Sequence, residues 1–521
     1  MTASEGAVGG PRAADAPQDA AALGRGQVRG SALLVGGRLA SMVLTVATQV
    51  VVVRTLSTAD YGAFAFALAI TSACRTLLSL GQSKSLSRHL AVHDEQRDHG
   101  RLIGTALVTG LTVLLSSVVV VSCVLLLRDP IGATFLDSVD AVDVLVVLVL
   151  LAPVEALDEV FVAMFAVFAR PVAIFFRRFL LTPALRLATV AAVALTGGTA
   201  EHVAIGYVAT GLLGIALYAV LLWSLLRDRG VLQGLARKDV VLPFRDVFSF
   251  SLPLLSQELV YLSTHLGSVM LLAYFWTAAD VADYRAVFPA ARLNQFVYAG
   301  FALLFLPMAA RLFARGDLEG LRSRYWHSAV LLAVLSFPVC AMTVPFAPAT
   351  TVALFGERYA DAAVLLTILG LGYYLNVCLG FNLLALQVVG RVRYLLAVNV
   401  AVAAGNLALS WLLVPAHGAV GVATANAVTL LAQNVLYQWA LRGSLRTRFV
   451  DPSCRRAYAV VAGGLLVLAG LQLLLDPDLL LALPLAAAVW LAVLSLTRRQ
   501  LELEQTFPEL RRVPGLRRLL L

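Results

Sequence analysis

Four arginines and four carboxylates lie inside long apolar stretches of this 521-residue chain: Arg38, Arg75, Arg186 and Arg292, with Glu155, Asp158, Glu159 and Glu258. A charge at the centre of a membrane helix costs on the order of 3 kcal/mol on insertion scales, so such groups must face protein or water. Spacing of three and four places Glu155, Asp158 and Glu159 on one helical face. At ~1.5 Å per residue, Asp158 and Arg186 both sit roughly 10 to 15 Å in from the same side, on consecutive stretches. An internal salt bridge is the plain reading of Arg186, and binding of H+ or Na+ during a transport cycle is the sharper reading of the acidic face. Arg38 and Arg75 have no carboxylate in their own stretches, whereas Arg292 has Glu258 in the preceding one as a candidate partner. No glycine-rich phosphate loop with lysine is present, which argues against direct ATP hydrolysis.

The elements that must position these groups are fourteen apolar runs, each near the roughly 20 residues a helix needs to cross the bilayer. They are Leu33 to Val53, Tyr61 to Gly81, Leu102 to Leu127, Val144 to Val167, Phe179 to Leu195, Val203 to Leu226 and Val247 to Phe275. Ala286 to Ala310, Ala329 to Phe346, Ala362 to Val388, Tyr394 to Val414, Ala419 to Trp439, Ala457 to Leu475 and Leu479 to Leu496 follow. Basic residues concentrate in the termini and alternate connections, such as Lys84 to Arg101, Arg227 to Arg245 and Arg442 to Arg456. Only Arg54, Arg128, Arg285 and Arg358 fall on the opposite side. Because basic loops stay in the cytoplasm, both termini are expected inside. A composition 60% hydrophobic and 14% charged agrees. The net charge of +9 is then explained by topology and anionic lipid, not by nucleic acid.

Residues 1–30 read as a disordered cytoplasmic tail without a signal-peptide core, and 497–521 as a basic tail whose segment Leu501 to Leu521 is a candidate amphipathic helix on the inner leaflet. The five cysteines are scattered and indicate neither disulfides nor a metal site, and no cofactor is expected. Ala59-Asp60-Tyr61 echoes Ala282-Asp283-Tyr284, and Ala204-Ile205-Gly206 echoes Ala419-Val420-Gly421. Such echoes suggest parallel repeats: an N-lobe at 31–226, a cytoplasmic linker at 227–246, a C-lobe at 247–441, and a loop with a last helix pair at 442–496.

Four segments carry a family resemblance. Arg54-Thr55-Leu56-Ser57 with Asp60-Tyr61-Gly62 forms the first external turn, and Phe305-Leu306-Pro307 precedes a basic loop from Arg311 to Arg324. Leu354-Phe355-Gly356-Glu357-Arg358-Tyr359 precedes the tenth run, and Pro415-Ala416-His417-Gly418-Ala419-Val420-Gly421-Val422-Ala423 leads into the twelfth. In this order they resemble the polysaccharide transporter branch of the multidrug/oligosaccharidyl-lipid/polysaccharide exporter superfamily, whose members flip lipid-linked oligosaccharides across bacterial inner membranes. The resemblance implies an all-α membrane protein of about fourteen helices: two six-helix lobes in a V around a central cavity, plus a C-terminal helix pair. It also implies a working monomer in the inner membrane. The cavity would be lined by basic residues on helices one, two and eight, accepting the carrier's diphosphate. This chain has Arg38, Arg75 and Arg292 there. Guanidinium suits the task, since its planar fork donates two hydrogen bonds to phosphate and keeps its proton. Helix-packing pairs are the alternative role for these arginines. A peptidoglycan-precursor flippase would present the same diphosphate. A drug or cation antiporter should have a mainly acidic cavity, and a membrane glycosyltransferase or polymerase would need larger external loops than Arg128 to Asp143.

Overall fold

Backbone polar groups inside hydrocarbon must be bonded within their own segment, which leaves helices as the natural solution for apolar runs. The computed structural model describes residues 37, 40–79, 86, 90, 93, 96, 98–135, 139–168, 171–230, 240–245, 247–248, 262, 266–445 and 447–501, and among these there is no strand. Among the described residues, eight helices are long and apolar enough to cross a membrane, or nine when Leu318–Leu335 and Phe337–Thr343, bent by 44°, count as one span. Arg38, Glu258 and the candidate amphipathic tail after Leu501 lie outside the described residues.

The helices that build the site are α1 (Ala40–Thr55), α2 (Thr58–Ser79), α3 (Leu151–Val167), α4 (Phe175–Thr196) and α5 (Ala200–Asp228). Later in the chain come α6 (Ala278–Ala291), α7 (Asn294–Ala314), α8 (Ala347–Phe355), α9 (Ala363–Cys378) and α10 (Val392–Leu445). Several predicted runs are broken. The fourth is split between Val139–Val149 and α3. The eighth is split at Arg292 and Leu293, between α6 and α7, with Pro289 just before the break. The eleventh and twelfth run together as α10, folded back at Gly418, whose φ of 52° and ψ of −131° favour glycine.

Core packing gives the V its shape. At the end predicted to face outside, one core joins both halves, with Val53, Tyr61 and Phe64 beside Val281, Tyr284, Phe355 and Val422. At the other end the core divides in two: Leu102, Phe165 and Tyr218 belong to one cluster, Tyr325, Phe337 and Tyr437 to another. The join is made by α2 against α6. Helix association in lipid depends on close van der Waals approach, and α2 supplies it with a buried row of small residues on the face of Gly62: Ala65, Ala69 and Ala73. Gly62 lies so close to α6 that a Cβ there would overlap the Ala278 carbonyl.

The tripeptide echo is out of register by about one helical turn. Ser57 donates to Asp60 over 2.7 Å at the start of α2, and Thr277 donates to Asp280 over 2.7 Å before α6. The matching caps are therefore Ser57…Asp60 and Thr277…Asp280, and Asp283 has no part in them. What the echo does mark is a pair of buried tyrosines held by amides: Tyr61 accepts from Gln49, and Tyr284 from Asn426 over 2.7 Å.

Candidate functional site

Between the arms lie two adjoining hollows that share Ser41 and Thr45 near the start of α1. The first, about 440 Å3, is bounded by α1, α2, α3, α4 and α5 and is densely charged. Glu155 is its hub: Arg186 lies 3.0 Å away, and Arg75 reaches across from α2 at 3.8 Å while also approaching Glu159 at 3.4 Å. Asp158 pairs with Arg177, whose side chain is 4% exposed and whose guanidinium lies 4.3 Å from the Tyr218 ring centre. Arg178 and Arg285 complete the wall. Among the described lining residues, the five arginines 75, 177, 178, 186 and 285 face three carboxylates, a surplus of two positive charges.

The second hollow, about 690 Å3, lies against α6, α7, α9 and α10 and has a different chemistry. Arg292, at the break between α6 and α7, is its single charged residue among those described, with its guanidinium 5.6 Å from the Phe288 ring centre. Side-chain amides of Gln295, Asn376, Asn382, Asn399 and Gln433 line the rest, with Tyr298, Tyr437 and Phe296.

The expected Arg186 salt bridge is present, and of the three carboxylates on that helical face its partner is Glu155, while Asp158 goes to Arg177. Arg75 does not lie free of carboxylates; the fold carries the acidic face of α3 to it. Arg75 and Arg292 line different hollows, brought together only through the shared α1 wall. Arg177 and Arg178 fall just outside the fifth apolar run, which starts at Phe179. The helix in fact begins at Pro171 and passes through a π-helical stretch, Phe175–Leu181, whose wider turn brings both adjacent arginines to one hollow. A proline at a helix start was the available signal.

At the opposite end two further arginines exchange places. Arg54, at the end of α1, donates from Nε to the Leu354 carbonyl over 2.9 Å and from its terminal nitrogen to Ala353. Arg358, just beyond α8, donates to the Val53 carbonyl. Each arginine thus satisfies the free C-terminal carbonyls of the helix carried by the other half.

A family model described as polysaccharide biosynthesis protein matches residues 27–313, more than half of the chain. The chain belongs to this family. Among solved structures it is similar to the lipid II flippase MurJ in an inward closed conformation, at 12% identity and a TM-score of 0.68, over 90% of this chain and 99% of that one. An inward-facing multidrug resistance MATE family transporter of the MOP superfamily matches at 14% identity and a TM-score of 0.66, over 78% of this chain and 94% of its own. The Vibrio cholerae MATE transporter VcmN matches less closely, at 15% identity and a TM-score of 0.53 over 81% and 98%. No curated protein matches the sequence. What is shared at these identities is the fold, which is the one seen in those membrane transporters.

Proposed function

We propose that this family member flips a polyprenyl-diphosphate-linked oligosaccharide from the inner to the outer leaflet of a bacterial inner membrane, as a monomer with two lobes that rock in alternation. The observation that carries this reading is the surplus of two positive charges in a hollow between arms sealed at the other end. A sugar diphosphate ester of a lipid carries about two negative charges, and low-dielectric walls strengthen its attraction to guanidinium. Arg75 and Arg292 flank the shared wall of Ser41 and Thr45 from either hollow, and Arg38 precedes that wall in sequence. These three arginines would grip the diphosphate. The half-buried Arg75 contacts at 3.4 and 3.8 Å are long for ion pairs and leave room for a competing anion. An inside-negative potential favours outward movement of such a headgroup by ~2.3 kcal/mol per charge per 100 mV. Glu155, Asp158 and Glu159 would then tune Arg75, Arg177 and Arg186, and this acidic face is where H+ or Na+ would bind during the cycle.

A peptidoglycan-precursor flippase is the second reading, favoured by the likeness to a lipid II flippase. A cation antiporter is disfavoured by the charge surplus. To test the proposal, Arg38, Arg75 and Arg292 are each replaced by Ala and by Lys in proteoliposomes holding a fluorescent polyprenyl-diphosphate disaccharide. Translocation falls at least roughly tenfold in the Ala variants, as loss of a charge-assisted contact predicts, and less in the Lys variants. Unchanged translocation in all three Ala variants would sink the assignment.

A further inference from the structure

The second hollow contains hydrogen-bonding groups that the diphosphate leaves unused. Asn399 Oδ1 accepts from Gln433 Nε2 over 2.7 Å and from Tyr437 Oη over 2.6 Å. That pair of bonds fixes the orientation of both amides. The Asn399 NH2 and the Gln433 carbonyl oxygen are left without a protein partner among the described residues, as are the side chains of Gln295 and Asn376. The result is an array of donors and acceptors, its Asn399–Gln433–Tyr437 part locked in place, in a hollow whose described lining has no carboxylate, no lysine and only Arg292 at its edge. Phe296 and Tyr298 add aromatic surface.

From this juxtaposition we infer that the amide hollow is a subsite for the uncharged sugars next to the diphosphate, and that it selects against acidic sugars such as hexuronates. The inference rests on the flippase reading above and adds the class of glycan. Each sugar hydroxyl is both donor and acceptor, and so is each amide, so one array serves several hydroxyls at once. Aromatic faces cover the apolar C–H surface of a pyranose ring. A carboxylate moved into the same hollow would lose its water shell and meet neutral dipoles, with Arg292 already engaged by phosphate. The volume, about 690 Å3, falls within the ~300–1,000 Å3 of pockets that enclose ligands of this size.

The test uses the full-length protein in proteoliposomes with three fluorescent polyprenyl diphosphates: sugar-free, bearing a neutral disaccharide, or bearing the same disaccharide with one residue oxidised to a hexuronate. The neutral substrate is expected to move at least about tenfold faster than the acidic one. Gln433→Lys, which adds a cation to the hollow, should shrink that ratio. Gln295→Ala combined with Asn376→Ala should lower the affinity ratio of neutral-sugar carrier to sugar-free carrier by about tenfold. Equal rates for both disaccharides, or faster acidic transport, overturn the inference alone, provided the sugar-free carrier binds. If the sugar-free carrier does not bind, the flippase reading falls and the inference with it. Size-exclusion profiles matching the parent protein establish that each variant is folded.

Discussion

The two hollows share a wall on α1, yet they solve the problem of polarity inside a membrane in opposite ways. One balances charge with opposite charge: Asp158 against the buried Arg177, and Glu155 against the half-buried Arg75 and Arg186. The other uses neutral dipoles that hold one another, as Asn399, Gln433 and Tyr437 do. Charged pairs are costly to break and respond to ions. Amide networks are cheaper to break and respond to shape. A ligand with an anionic centre and a neutral, hydroxyl-rich body would use both.

The contrast breaks most visibly at Asp158. Asp158→Asn strands the Arg177 guanidinium, which is 4% exposed, and should cost about 3–5 kcal/mol. Thermal unfolding in detergent would report it, and pairing the change with Arg177→Met should recover most of the loss. A variant as stable as the parent would mean that the charged hollow is well solvated and the contrast false. Next in size is the outer seal, which decides from which side the hollows are reached. Arg54→Ala together with Arg358→Ala removes charge-assisted hydrogen bonds worth about 1.5–3 kcal/mol each when well shielded, and less at this exposed site. Labelling of a cysteine introduced at Thr45, on the wall shared by the two hollows, by an impermeant maleimide from outside should rise roughly tenfold, a shift of about 1.4 kcal/mol. Ionic strength sharpens the comparison further. Between 0.1 M and 1 M salt the Debye length falls from about 10 Å to about 3 Å, so binding of sugar-free carrier should weaken several-fold while the increment due to sugar stays constant. The smallest effect belongs to the amide network: Gln433→Leu should lower stability by about 1 kcal/mol in the same unfolding measurement.

The helices, their apolar faces and the acidic stripe on α3 were legible from periodicity and hydropathy, because each depends on neighbours a few residues apart. The partner of Arg75 was not, since Glu155 and Glu159 come from a helix far along the chain and only packing selects them. Arg177 and Arg178 were hidden by a boundary placed a few residues late, which turned a wall of the site into a connecting loop. The amide hollow left no pattern at all: Gln295, Asn376, Asn399 and Gln433 come from α7, α9 and both limbs of α10, at no fixed interval. Arg54 and Arg358 stood out as rare basic residues on the outer side, but their acceptors are peptide carbonyls, which no side-chain motif announces.

That choice of acceptor has its own consequence. Main-chain oxygens of helix ends neither titrate at physiological acidity nor disappear by point mutation, and guanidinium stays protonated throughout. The clasp's own donors and acceptors therefore stay the same in acidic and neutral surroundings, and at this end a change of pH would be felt instead at Asp283, whose carboxyl is pushed up to about 6 by burial and by its neighbours Asp280 and Asp361.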